Sequence, residues 1–186
     1  MSSTAVTTAT PTLSTWSIDP AHSHVEFAVK HLMISTVKGR FGIVRGTVRL
    51  DDRDPARGQA EIEIDADSID TREAKRDAHL RSADFFDVET FPTITFRSTR
   101  IEQAAGDEFK LVGDLTIHGV TREVTLDVTA EGRGKDPWGG ERAGFSAATK
   151  IKRSEFGLTW NQALETGGFV VGDEIKISLD VEVVRQ

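Results

Sequence analysis

Apolar and polar residues alternate with a period of two along most of the chain. In SHVEFAVKH, Val25, Phe27, Val29 and His31 share one face, while His24, Glu26, Ala28 and Lys30 share the other. QAEIEIDA sets Ala60, Ile62, Ile64 and Ala66 against Glu61, Glu63 and Asp65. EFKLVGDLTI aligns Phe109, Leu111, Gly113, Leu115 and Ile117, and REVTLDVTA aligns Val124, Leu126, Val128 and Ala130. DEIKISLDVEV does the same with Ile175, Ile177, Leu179, Val181 and Val183. Weaker alternation over 42–50, 93–101 and 142–152 brings the expected strands to eight. Side chains on a strand point alternately to its two sides, so each strand buries one face and wets the other.

Turn-forming runs separate these strands: DDRDPARG, AAGD, HGVT and GRGKDPWGG. Most links are short, so sequential strands are expected to pair antiparallel. Two links are long. Residues 68–92 contain a helical stretch with Thr71 as its expected N-cap and Pro92 after it, and LTWNQALETGG is expected to form a short helix stopped by Gly167 and Gly168. Eight half-buried strands make a two-sheet sandwich or close into a barrel, and closure removes the exposed edges. Small inward residues (Ala60, Ala66, Gly113, Ala130 and Ala147) leave space inside, or else accommodate bulky Phe neighbours in a solid core. The pattern leaves both open.

Composition narrows the chemistry. The chain has 186 residues, enough for one domain with its own core, and a net charge of −7, which opposes nucleic acid and anionic membranes as electrostatic partners. Cysteine is absent, which removes disulfides, thiolate nucleophiles and cysteine-ligated metal. No apolar run is long enough for a spanning helix, so no stable membrane insertion is expected. Residues 1–14, rich in Ser, Thr and Ala, are expected to be a disordered tail before a domain over 15–186. They show neither a basic n-region nor an apolar h-region, and a cytoplasmic location is expected.

Candidate chemistry is sparse. His22 and His24, two apart, would face the same way on a strand, the geometry of a metal pair, but their face continues as Glu26, Ala28 and Lys30 on the solvent side; surface roles are expected and no metal. His31 ends an apolar stripe. The one dense acid–base cluster is KRDAHLRSAD, where Asp77 and Arg81 stand four apart, the spacing of an intrahelical ion pair. No nucleophile elbow, P-loop or H-E-x-x-H motif occurs, and Pro137 spoils the glycine-loop match in GRGKDP.

Four ordered segments, WSIDPAHSHVEFAVKHLMISTVKGRF, SIDTREAKRDAHLRSADFFDVETFPTITF, GDLTIHGVTREVTL and FGLTWNQALETGGFVVGDEIKISLDVEV, closely resemble the YceI-like, polyisoprenoid-binding family, from about Trp16 to Val183. The resemblance implies an all-β fold: an eight-stranded antiparallel, lipocalin-like barrel, with a short helix in the long crossover and an apolar central pore. It implies a non-enzymatic binding or carrier protein for a long-chain polyisoprenoid, a polyprenyl quinone or phosphate, with no other cofactor. Pore contacts are then expected from Phe27, Val29, Ile62, Ile64, Phe85, Phe86, Ile94, Phe96, Leu115, Phe145, Ile177 and Leu179. Head-group contacts at the mouth are expected from His31, Arg76, His79, Arg81, Arg153, Trp160 and Asn161. The helix and Phe85, Phe86 and Phe91 would act as a lid. A homodimer is admitted as an assembly, and many members of the family are exported to the periplasm. The alternative is an enzyme acting on an apolar substrate inside the barrel, with His31 or His79 as acid–base.

Overall fold

The first two strands of the barrel form one long hairpin, and each of its arms is broken once. The computed structural model describes residues 13–42 and 44–186. Most of the expected tail thus lies outside the described residues, while Ser14 already begins β1 and pairs with Leu50. β1 (Ser14–Ile18) and β2 (His24–His31) lie end to end along β11 (Val171–Arg185), Ile18 opposite Val183 and His24 opposite Asp180. Pro20, which has no N–H to give to a ladder, sits in the gap. There the Asp19 carboxylate accepts from the Ala21 N–H at 2.9 Å, and Ser23 Oγ exchanges bonds with both backbone groups of Glu182 at 3.0 and 3.2 Å. A side chain thereby stands in for the missing rungs.

The returning arm is β3 (Ser35–Phe41) followed by β4 (Val44–Leu50), with β3 on β2 and β4 on β1. The third strand is split likewise into β5 (Gln59–Asp65), on β4, and the two-residue β6 (Ile69–Asp70), on β3. After the helix α1 (Ala74–Arg81) come β7 (Thr93–Ala105), β8 (Glu108–Ile117), β9 (Val120–Lys135) and β10 (Glu141–Lys152), a meander that runs into β11. Every pairing is antiparallel, and β11 pairing with β1 and β2 closes the ring. The segments amount to eight barrel strands, the number the alternation predicts, and three of them are interrupted, which it does not show.

α1 does not hold itself in place in the expected way. Its N-cap is Glu73, whose carboxylate accepts from the Lys75 and Arg76 N–H groups, and not Thr71. Thr71 instead donates its N–H and hydroxyl to Asp77, at 2.9 and 2.5 Å, in a fully buried contact. Asp77 is therefore unavailable to Arg81, which reaches back to the Asp67 carboxylate and to the carbonyls of Asp67 and Ile69. The expected Asp77–Arg81 pair is absent because both groups have better-placed partners in the segment before the helix. Leu80, the helix's one large apolar residue, turns toward the core, and the rest of the hold comes from these polar contacts, which fix the helix to the barrel rim.

The second connector forms no helix over LTWNQALETGG. A 3₁₀ turn at Arg153–Phe156 ends at Gly157 (φ 76°), and an extended stretch follows with one bridge between Ala163 and Phe169. Asn161 explains the difference: its amide donates to the Val171 carbonyl at 2.7 Å and accepts from the Val171 N–H at 3.1 Å, pinning the segment extended. Gly167 and Gly168, both at positive φ, turn the chain back rather than cap a helix.

Small inward residues have two fates. Ala60 and Ala147 face open space inside the barrel. Gly113 does not: a Cβ there would meet the Phe96 ring at 2.6 Å, so the aromatic ring occupies the room that the glycine leaves. Gly39 gives the same relief to Phe27, directly opposite it in register.

Candidate functional site

The inward stripes enclose two apolar chambers stacked along the barrel. The chamber beside α1 encloses about 1060 Å³ and the one toward β1 and β4 about 600 Å³, each counting its opening. Ile62, Leu126 and Leu179, from three different strands, line both and form a waist between them. Among the described residues, Thr149 and Arg153 are the only polar ones in the wall of the first chamber, and Gln59 the only one in the second.

All expected pore positions line these chambers: Phe145 the far one, the rest the chamber beside α1, with Ile62 and Leu179 at the waist. The same alternation extends the wall through Val25, Ile117, Val124, Ile151 and Ile175. Phe41, Leu80 and Leu158 also line it and were not expected. Phe41 lies at the broken end of β3, and Leu80 and Leu158 sit in connectors where no strand period applies, so only a general preference of apolar residues for the interior could have pointed to them.

The mouth residues separate into three groups. Arg153 alone lines the chamber. It is buried, and its guanidinium donates only to backbone carbonyls: Nε to Gly172 (2.8 Å), Nη1 to Leu158 (2.7 Å) and Trp160 (2.9 Å), Nη2 to Val171 (3.3 Å). Burial lowers its pKa from the ordinary arginine value, against which the nearby Asp173 charge pulls weakly. The Asp173 carboxylate itself accepts from the Ser154 N–H and hydroxyl at 3.0 and 2.9 Å. Arg153 is thus a cation in an apolar wall, solvated by carbonyls.

Trp160 and His79 meet above the chamber. Their rings are 4.7 Å apart and edge-on, Phe85 packs on both (5.1 and 5.3 Å), and His79 Nε2 lies 2.8 Å from the Asp84 carboxylate. This cluster joins the two long connectors, and Phe85 and Phe86 close the chamber beneath it. Phe91 packs elsewhere, against His118 and over Gly119. The third group is structural in its contacts. Arg76 donates to the hydroxyl and carbonyl of Thr71 (2.7 and 2.8 Å), Arg81 and Asn161 are engaged as described above, and half-buried His31 sits at the end of β2 opposite Ser35 and Val171. None of these lines the chamber.

His22 and His24 do not share a strand face. His22 falls in the gap between β1 and β2, 2.9 Å from Asp19, and His24 lies 3.3 Å from Asp180. Asp19, His22 and Glu182 come within metal-binding reach of one another, but the Arg142 guanidinium already bonds both carboxylates and that of Asp136. Hydrogen bonds from His22 and then Arg142 lower the Asp19 carboxyl from 3.8 to about 2.

A closed antiparallel barrel with an apolar bore and one short helix across a connector defines a lipocalin-like binding architecture. The chain belongs to the YceI-like family, whose domain matches residues 16–183. It is 40% identical over 165 residues to the protein YceI of Salmonella newport (strain SL254), covering 89% of this chain and 83% of that protein. Burkholderia cenocepacia BcnA superposes with a TM-score of 0.78 at 29% identity, covering 89% of this chain and 98% of BcnA. A Campylobacter jejuni YCEI protein gives 0.71 at 33% identity, covering 84% and 90%. A polyisoprenoid binding domain from Saccharophagus degradans, implicated in plant cell wall breakdown, gives 0.65 at 17% identity, covering 94% and 100%; at that identity the likeness concerns the fold.

Proposed function

We propose that the protein is a non-enzymatic carrier for a long-chain polyisoprenoid, of the polyprenyl quinone or polyprenyl phosphate type, with the tail laid along the bore. The observation that carries this is the wall itself: two chambers in line, joined at an apolar waist, with only Thr149, Arg153 and Gln59 polar among the described residues. Burying each methylene is worth about 0.8 kcal/mol, so a long prenyl tail has a strong drive to leave water. Full conversion of that drive would exceed the practical ceiling of about −20 kcal/mol, so ordering of the tail must absorb much of it. A linear, stacked bore favours an elongated ligand over a compact one. An enzymatic role finds little support, since among the described residues the one titratable side chain in the wall of either chamber is Arg153.

The test is mass spectrometry of an organic extract from gently purified protein. One long-chain isoprenoid per chain is the expected result. In Phe27→Asp and Ile177→Asp, which place an unpaired carboxylate in the wall, the lipid should disappear while the far-ultraviolet spectrum stays that of a barrel. Wild-type protein that carries only straight-chain fatty acids, or whose isoprenoid survives both substitutions, would falsify the proposal.

A further inference from the structure

Among the described residues, four large apolar side chains are strongly exposed, and three of them gather at one end of the barrel. Met33 (63% exposed) and Ile34 (83%) form the tip of the β2–β3 hairpin, and Phe169 (56%) stands on the neighbouring connector. The fourth, Trp138, is at the opposite end, in the β9–β10 turn. Met33 and Phe169 face a shared groove, and the Leu32 N–H donates to the Val170 carbonyl at 2.8 Å, tying tip to connector. Scattered exposed apolar residues are ordinary, whereas a contiguous patch marks an interaction surface.

The backbone of the tip is costly for these side chains. Leu32 and Met33 both have positive φ (51° and 62°), and the Ile34 N–H closes the turn onto the His31 carbonyl at 3.2 Å. A four-residue turn such as His31–Ile34, with both central residues left-handed, favours Asn-Gly or Asp-Gly at its centre, and neither leucine nor methionine relieves the strain. Apolar bulk is held in that strained turn and presented to solvent, which a fold requirement alone does not explain.

The position of the patch indicates what it meets. Arg153, Leu158 and Val171 form the floor of the groove beside Met33 and Phe169, and the same three residues form part of the wall of the chamber beside α1. The patch is thus separated from the proposed lipid site by a single layer of side chains. We infer that the Met33–Ile34–Phe169 patch is a docking surface for a lipid bilayer, which brings the wall of the bore against the source or destination of its ligand. This rests on the carrier function proposed above. Contact is by shallow insertion of apolar side chains between lipid head groups, and with a net charge of −7 it does not depend on anionic lipid.

The test is flotation of lipid-free protein with uncharged phosphatidylcholine vesicles, compared among three chains. Wild type should float with the vesicles, little affected by salt. Ile34→Asp with Phe169→Asp should lose at least about tenfold in vesicle binding. Leu32→Asn with Met33→Gly should also lose binding, yet melt at a higher temperature than wild type because the turn is relaxed. Binding of a short prenyl alcohol, measured in the same chains without vesicles, should stay at the wild-type level; this reads the bore separately from the patch. A wild type that does not float, or variants that float as well as it does, overturns docking whatever the bore binds. So does sedimentation showing a dimer that the aspartates dissociate, since the patch is then a contact between copies. Failure of the alcohol to bind wild-type protein counts against the carrier function and leaves the flotation result to be read by itself.

Discussion

Replacing Arg153 with methionine should destabilise the protein by about 3 kcal/mol, and the reason lies in what stays behind. The guanidinium serves four carbonyls, those of Leu158, Trp160, Val171 and Gly172, which arrive from both ends of the second connector. A hydrogen bond to a charged group contributes roughly 1.5–3 kcal/mol, and a buried acceptor left bare costs roughly 1–3. The four do not add up. Leu158 is buried, but Trp160, Val171 and Gly172 are only half-buried, and water can replace part of what they lose. Removing the cation also relieves the burial cost that lowers its pKa. Methionine fills much of the volume, so the net loss settles near the cost of one fully bared acceptor and part of the others. For a chain of this length, about 3 kcal/mol corresponds to a melting temperature lower by roughly 6–12 °C. Urea unfolding of lipid-free protein is the assay, because bound ligand would add its own stability. Arg153→Lys should fall between wild type and methionine, since one ammonium cannot fork to four acceptors. A methionine variant within about 0.5 kcal/mol of wild type would show that the carbonyls do not need the guanidinium and refute the argument.

Two further outcomes follow from the geometry. The Asp19 carboxyl titrates at about 2 instead of 3.8, so its ionised contacts add stability that is complete above the unfolded value and is lost as pH falls from 3.8 through 2. The gap in urea stability between wild type and Asp19→Asn should accordingly close over that interval, and a gap unchanged down to the lower end contradicts the assignment. At the waist, Leu126→Trp should weaken binding of long prenyl alcohols at least about tenfold while sparing short ones; equal losses for the two lengths would mean that a tail does not pass between the chambers.

Much of the bore was legible because a strand with one wet face repeats every second residue, and Val25, Phe27 and Val29 or Ile175, Ile177 and Leu179 keep that beat. The interrupted strands were harder. STWSI has only Trp16 and Ile18 as apolar signals, yet Trp16 is completely buried, with the guanidinium carbons of Arg133 and Arg185 5.4 and 5.8 Å from its ring centroid. In STVKGRF the inward Gly39 interrupts the apolar stripe, because its missing side chain belongs sterically to Phe27 across the ladder. β6 is too short to show a period. The charged face of α1 was visible as charge but not as architecture: Thr71–Asp77, Arg76–Thr71 and Arg81–Asp67 connect the helix to residues before it, where rules for neighbours within a helix do not reach. Arg153 stood out as a candidate, but its partners are carbonyls, which every residue carries and no sequence marks.

The seam of the ring has a consequence for how the chain reaches its native state. β11 pairs with β1 and β2, so the strands that complete the circle come from opposite ends of the domain, and the Gln186 N–H still reaches the Thr15 carbonyl at 2.9 Å. During synthesis the meander from β7 to β10 can pair locally as it emerges, but the circle stays open until β11 leaves the ribosome. Until then a curved sheet displays the greasy side of nearly every strand, with two free edges ready to pair with a neighbouring chain. Contacts this distant in sequence slow folding, which lengthens that interval. Truncations or stalling just before β11 should therefore produce aggregation rather than a loosened but soluble barrel.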